Sequence, residues 1–163
     1  MRDAVDFCSR TFDAFPVYSE PDPEAIPIDE KFDPIWCGSL LTHIDSDRAG
    51  RFLDFFIDRM EEDGVFVFTT HGRHCVLRGD PDDQRWREIT REFIIEGFGY
   101  RDYPSMAGYG TSISKASWIL EALCAREDIT VIEYVERGWN DHQDVAGVLK
   151  SDIHHRQGAR LIV

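Results

Sequence analysis

The sequence predicts an α/β domain built on a mostly parallel sheet that ends in an antiparallel strand pair. Segments of helical and of strand periodicity alternate along the chain, the pattern of strands joined by crossover helices. "VFVFTT", Val65 to Thr70, is an uninterrupted run of β-branched and aromatic residues, as expected of a strand covered on both faces. The segment "ERGWNDH" joins two strand-like runs, Ile129 to Val135 and Gln143 to Leu149. A joint this short demands antiparallel pairing.

The remaining elements follow in chain order. A first helix is expected from Asp3, an N-cap residue type, with Val5, Cys8 and Phe12 on one face. A short strand is expected over Phe15 to Tyr18, followed by the Pro- and acid-rich loop "SEPDPEAIP". "FDPIWCG", Phe32 to Gly38, reads as a buried strand; its Pro34 cannot donate to a ladder, so it sits on the non-donating side or the strand is an edge. Ser46 to Glu62 carries an apolar helical stripe of Phe52, Leu53, Phe56, Ile57 and Met60, ended by Gly64. Asp80-Pro81-Asp82-Asp83 opens a helix with Trp86, Ile89 and Phe93 on one side and Gly97 as its stop. Gly97 to Gly110 reads as a long irregular loop. Ser114 is placed to cap a helix containing Ile119, Leu120 and Leu123. Phe32, Ile35, Phe56, Phe66, Phe68, Ile119, Val131 and Val145 are the expected core. The organisation is one partial domain over residues 1–150 and an unpatterned tail over 151–163, with His154 and His155 at the surface.

Composition limits the function. With 163 residues, 42% of them hydrophobic and 30% charged, the chain has the makings of one globular domain. Its 18 basic and 31 acidic residues leave a net charge of −13, with no basic stripe. Such a surface repels phosphate backbones, so no nucleic-acid partner is expected. No apolar run reaches membrane-spanning length, so no membrane partner is expected either. The four cysteines are scattered and form no CxxC pair, which fits reduced thiols in a cytoplasmic protein.

"FDPIWCGSLLTHID", Phe32 to Asp45, resembles the stretch that follows the fourth strand of class I S-adenosylmethionine-dependent methyltransferases. In that family a small-residue turn, a hydrophobic pair and a His-Ile or His-Leu come next, then a helix and a strand of the type Gly64 to Thr70. The closing antiparallel pair is also a family trait. The resemblance covers about Asp3 to Lys150 and rests on the order of several motifs of modest individual specificity. It implies a Rossmann-like sheet, S-adenosylmethionine as cofactor and methyl transfer to an O, N or C atom of a small molecule. The family's G-x-G-x-G loop after the first strand, which only glycine allows to approach the cofactor so closely, does not occur in this sequence. Nor does the acidic residue that holds the ribose. The expectation is therefore a truncated domain lacking the first strand and glycine loop. Its other reading is a catalytically silent partner or scaffold, with an unpaired sheet edge able to self-associate.

In open α/β sheets, ligands sit beyond the carboxyl ends of strands. The resemblance assigns Ser19 or Glu20 to the adenine amino group, and the turn Cys37-Gly38-Ser39-Leu40 to the methionine end of the cofactor. The alternatives are a solvated turn and a plain strand-to-loop turn. His43 is a candidate general base, because imidazole accepts a proton near neutral pH; otherwise it packs at the helix entrance and bonds a backbone carbonyl. His71, after the strand Val65 to Thr70, is a second base or substrate contact. His74 and Cys75 follow closely, but their spacing matches no dedicated metal site, and no metal is expected. Tyr109 and Trp139, with Tyr100 and Tyr103, offer aromatic faces to a sulfonium or a cationic substrate; ordinary packing over the sheet is the alternative.

Overall fold

The computed structural model describes residues 2–151, so His154 and His155 lie outside the described residues. The chain forms two compact units, Met1–Glu30 and Lys31–Val163.

In the first unit, helix α1 spans Arg2–Phe12, so Asp3 sits within its first turn instead of capping it. Residues 13–20 follow in irregular backbone, and Phe15 is exposed. The strand expected at Phe15 to Tyr18 is therefore not formed. A strand persists only where a ladder satisfies its backbone, and this segment has no ladder partner among the described residues. A short 3₁₀ turn, Pro23–Ala25, is capped by the Asp22 carboxylate, which accepts from the Glu24 N–H at 3.1 Å.

The second unit holds a four-stranded mixed sheet and a separate hairpin. Strand β1 is Ile35–Cys37, beginning directly after Pro34, where the missing N–H costs no ladder bond. It runs parallel to β2, Val65–Thr70, with Ile35 opposite Phe66 and Cys37 opposite Phe68. Strands β5, Ile129–Trp139, and β6, Gln143–Lys150, close the sheet, giving the order β1-β2-β6-β5 with β6 antiparallel to both neighbours. The expected parallel part is thus confined to β1 and β2. The β5–β6 joint is tighter than expected. Asn140 and Asp141 take φ of 53° and 54°, and His142 N–H bonds the Trp139 carbonyl at 3.1 Å. Two successive left-handed residues are the mark of the hairpin turn that matches strand twist.

Helix α2, Ser46–Asp58, is capped by the Asp45 side chain and ends a turn earlier than its apolar stripe suggested. Phe32 causes this: its N–H bonds the Arg59 carbonyl and its carbonyl accepts from Glu61, which draws residues 59–61 into a bridge. Phe32 itself is 43% exposed, the one exposed member of the expected core. Phe66, Phe68 and Ile119 are fully buried, and Ile35, Phe56, Val131 and Val145 are half-buried.

The short helix α3 is Arg73–Val76 and the longer α4 is Gln84–Glu96. Asp83, not Asp80, caps α4; Asp80 accepts instead from the Asp82 N–H in the preceding turn. Gly97 ends α4 in the left-handed region, with φ of 84°. The segment read as an irregular loop is mostly a hairpin, β3 Phe98–Tyr103 and β4 Met106–Ser114. Its small and turn-forming residues hid a strand alternation that the α4 face and the loop at Thr42 stabilise. Ser114 ends β4 instead of capping α5, Ala116–Cys124, whose N-cap Lys115 makes no side-chain cap bond.

Candidate active site

The carboxyl ends of β1 and β2 lie side by side and carry a ring of polar side chains. Ser39 N–H donates to Thr69 Oγ1 at 2.9 Å, and Thr69 Oγ1 donates to Gln143 Oε1 at 2.6 Å. Gln143 Nε2 donates back to Ser39 Oγ at 2.6 Å. The ring ties the turn after β1 to the end of β2 and the start of β6. Ser39 is held at φ of 61°, a conformation that a non-glycine residue adopts at a cost of about 1–2 kcal/mol. Such local strain concentrates at ligand-binding turns. Thr42 Oγ1 donates to the Ser39 carbonyl at 2.8 Å and closes the turn from below.

His43 follows one residue later. Its Nδ1 is 2.8 Å from the Gly110 carbonyl and 3.3 Å from the Tyr103 hydroxyl, and its ring stacks on Tyr109 at 4.7 Å. His71 extends from the end of β2, with Nδ1 3.1 Å from the Ser112 carbonyl. A carbonyl oxygen can only accept, so in each neutral imidazole Nδ1 carries the proton and Nε2 keeps a lone pair. Burial lowers the pKa of His71 to about 4, and the neighbouring His142 and His43 push in the same direction. His71 is therefore a neutral imidazole at physiological pH. The rings of His43 and His71 are 6.3 Å apart, and those of His71 and His142 are 5.0 Å apart.

The structure gathers most of the residues singled out in the sequence. Gly38, Ser39, Leu40, His43 and His71 stand on the turn and strand ends just described, and Tyr109 reaches them from β4 by stacking on His43. Trp139 joins them: its ring meets Trp36 edge-on at 5.3 Å and passes so close to Gly38 that a Cβ there would lie 2.9 Å from it. Cys37 points into the core, where burial pushes its thiol up to about 12, so it supports the turn without offering a reactive sulfur. Ser19 and Glu20 are exposed, in the irregular backbone of the first unit. They do not follow a strand, so the strand-end argument that singled them out does not apply.

Sequence reasoning overlooked His142, Gln143 and Thr69. Asn140-Asp141 is a recognisable hairpin-turn pair, and reading it as one would have set His142 and Gln143 beside the end of β2. Tyr100 turns its hydroxyl to Asp102, and burial together with that carboxylate pushes it up to about 12.

No protein-family model matches the sequence, and neither does any curated protein. Solved structures do match. An S-adenosylmethionine-dependent methyltransferase from Clostridium acetobutylicum aligns with 90% of this chain and 70% of its own at 16% identity, with a TM-score of 0.57. Magnesium protoporphyrin IX methyltransferase from Synechocystis aligns with 91% of this chain and 58% of its own at 9% identity, with a TM-score of 0.54. The N-methyltransferase NodS from Bradyrhizobium japonicum aligns with 93% of this chain and 70% of its own at 14% identity, with a TM-score of 0.53. The chain thus spans between 58% and 70% of the length of these proteins. At such identities the likeness is one of fold, and it agrees with the order of motifs around Phe32 to Asp45: the chain has the Rossmann-like fold of class I S-adenosylmethionine-dependent methyltransferases.

Proposed function

We propose that the strand-end cluster is the acceptor side of a site for S-adenosylmethionine-dependent methyl transfer to a small molecule. The observation that carries this reading is the pair of oriented imidazoles, His43 and His71, beside the Ser39 turn, in a chain of this fold. S-adenosylmethionine, when bound, supplies a methyl group on a positively charged sulfur. The turn Cys37 to Leu40 would line the methionine end, as the resemblance implies. Tyr109 and Trp139 present ring faces to positive charge. His43 would accept through Nε2 the proton that an acceptor O–H, N–H or C–H loses. A positioned base of this kind contributes about a hundred- to ten-thousandfold to rate.

The residues fit the cofactor in part. The turn, the aromatic rings and His43 support the reading, whereas no G-x-G-x-G loop occurs in the sequence. We infer that the chain by itself holds the cofactor weakly. Among the described residues β1 pairs with β2 alone, and its free edge supports self-association as part of the same reading.

The test is transfer of isotopically labelled methyl from millimolar S-adenosylmethionine to a panel of phenols, amines and carboxylic acids. Labelled product from the native chain, reduced at least about a hundredfold in His43→Gln, supports the reading. Label transfer that is equal in both proteins excludes His43 as the base. No transfer to any acceptor favours a catalytically silent subunit.

A further inference from the structure

We propose that His71, Cys75 and His142 form a binding site for a thiolate- and imidazole-preferring divalent metal ion, zinc above all. One ligand atom from each lies within 4.8 Å of the others. The three come from different elements: the end of β2, the first turns of α3, and the residue after the β5–β6 turn. The site shares His71 with the methyl-transfer reading, in which His43 is the base, and it uses no residue of the Ser39 ring.

Three features support a site rather than a chance grouping. The first is the orientation of the histidine ring. A metal-binding histidine characteristically donates its other ring N–H to a carbonyl or carboxylate. His71 does so, with Nδ1 on the Ser112 carbonyl at 3.1 Å, which presents Nε2 as a lone pair. The second is distance. Tetrahedral zinc with bonds of about 2.3 Å to sulfur and 2.0–2.1 Å to nitrogen sets neighbouring ligand atoms about 3.3–3.6 Å apart. Cys75 Sγ lies 3.8 Å from His142 Nδ1, close to that spacing, and the three ligand atoms lie within 4.8 Å of one another. The third is ligand chemistry. One sulfur and two imidazole nitrogens suit zinc, and hard cations such as magnesium and calcium prefer oxygen. Cys75 is buried against Ile89, Phe93 and Ile113. A metal binds the thiolate, so binding releases the thiol proton.

Arg78 is the competitor. Its Nη1 lies 3.2 Å from His142 Nδ1, and the side chain is exposed. The ion has to displace this guanidinium, which also opposes a second positive charge. Three protein ligands leave a fourth position for water or a small ligand, the arrangement of reactive and not of purely structural zinc sites.

The experiment uses the full chain, stripped with a chelator and titrated with zinc against a chromogenic chelator, and in parallel with cobalt(II). Expected are one equivalent of metal per chain, release of a proton, and a thiolate-to-cobalt charge-transfer band in the near ultraviolet. Cys75→Ser and His142→Ala should each weaken binding by about a hundredfold or more, beyond the usual loss for an outer-shell partner. Arg78→Ala should tighten it, an effect that general destabilisation does not produce. His154→Ala with His155→Ala should leave it unchanged. Absence of the cobalt band in the native chain overturns the proposal even if Cys75→Ser fails to fold. So does zinc affinity that is unchanged in folded Cys75→Ser.

Discussion

His43 and His71 are fastened to the same strand. Each places Nδ1 against a β4 carbonyl, His43 at Gly110 and His71 at Ser112, residues two apart on one edge of the hairpin. One backbone thus sets the tautomer of both rings and aims both Nε2 lone pairs. The loop before α2 and the end of β2 are tied to that strand by backbone bonds as well: Gly110 N–H to the His43 carbonyl, Ser112 N–H to Thr42, and Ser114 N–H to His71. Hairpin and strand ends therefore behave as one unit, and disturbing either misplaces the imidazoles.

Gly72, directly after His71, tests how tightly this region is packed. A Cβ at Gly72 would lie 1.8 Å from Asp144 Oδ2. Asp144 cannot yield easily, because it is buried and accepts from the Tyr134 hydroxyl and the Arg137 N–H, each at 2.9 Å. Gly72→Ala should destabilise by about 1–3 kcal/mol, the range for overpacking. Gly50→Ala in α2, where nothing lies within 4 Å of the new methyl, should stabilise by about 0.5–1 kcal/mol. Chemical denaturation of both variants checks the opposite signs.

Phe66 anchors the sheet to α2. It is fully buried, with its ring 5.3 Å from Phe56 and 5.0 Å from Phe68. Phe66→Ala should cost about 3–5 kcal/mol. Trp36→Ala, at a position 55% exposed on β1, should cost far less. Comparable losses in the two variants would mean that the β1 side of the sheet is covered.

Asp128 makes stability depend on acid. The Arg126 guanidinium and then Lys150 hold its carboxyl well below the usual carboxylate range. A depressed carboxylate contributes stability above its unfolded pKa of about 4 and loses it as pH falls through the folded value. The difference in melting temperature between the native chain and Asp128→Asn should therefore be largest near neutrality and shrink progressively as pH falls below about 4. The pair is partly exposed, so added salt should shrink it.

Strong local patterns carried the fold. The run Val65 to Thr70, the stripe through Phe52 and Ile57, and the glycine stop at Gly97 reappear as β2, α2 and the end of α4. Failures arose where partners distant in sequence decide. Phe15 to Tyr18 has strand-like residues but no ladder, and Phe98 to Ser114 is rich in glycine yet becomes a hairpin that α4 covers. The site divided the same way. His43 and His71 were visible from their places after strands. His142 stands 67 residues from Cys75, and only strand pairing brings the two together. His74, the neighbour that made a metal conceivable in sequence, is not part of that cluster.

That the ends of β1 and β2 receive the cofactor is tested most directly by titrating S-adenosylhomocysteine into the isotopically labelled chain and following its amide resonances. Losing a hydrogen bond to a charged group costs about 1.5–3 kcal/mol, and losing a cradle of backbone contacts costs more. Since each 1.4 kcal/mol is about tenfold in affinity, a micromolar site falls to the millimolar range. The expected result is a millimolar dissociation constant with shifts concentrated at Gly38 to His43 and Thr69 to His71. Shifts confined to other parts of the chain, or none up to the solubility limit, would contradict the location. A low-micromolar constant would show that another segment has taken over the role of the glycine-rich loop.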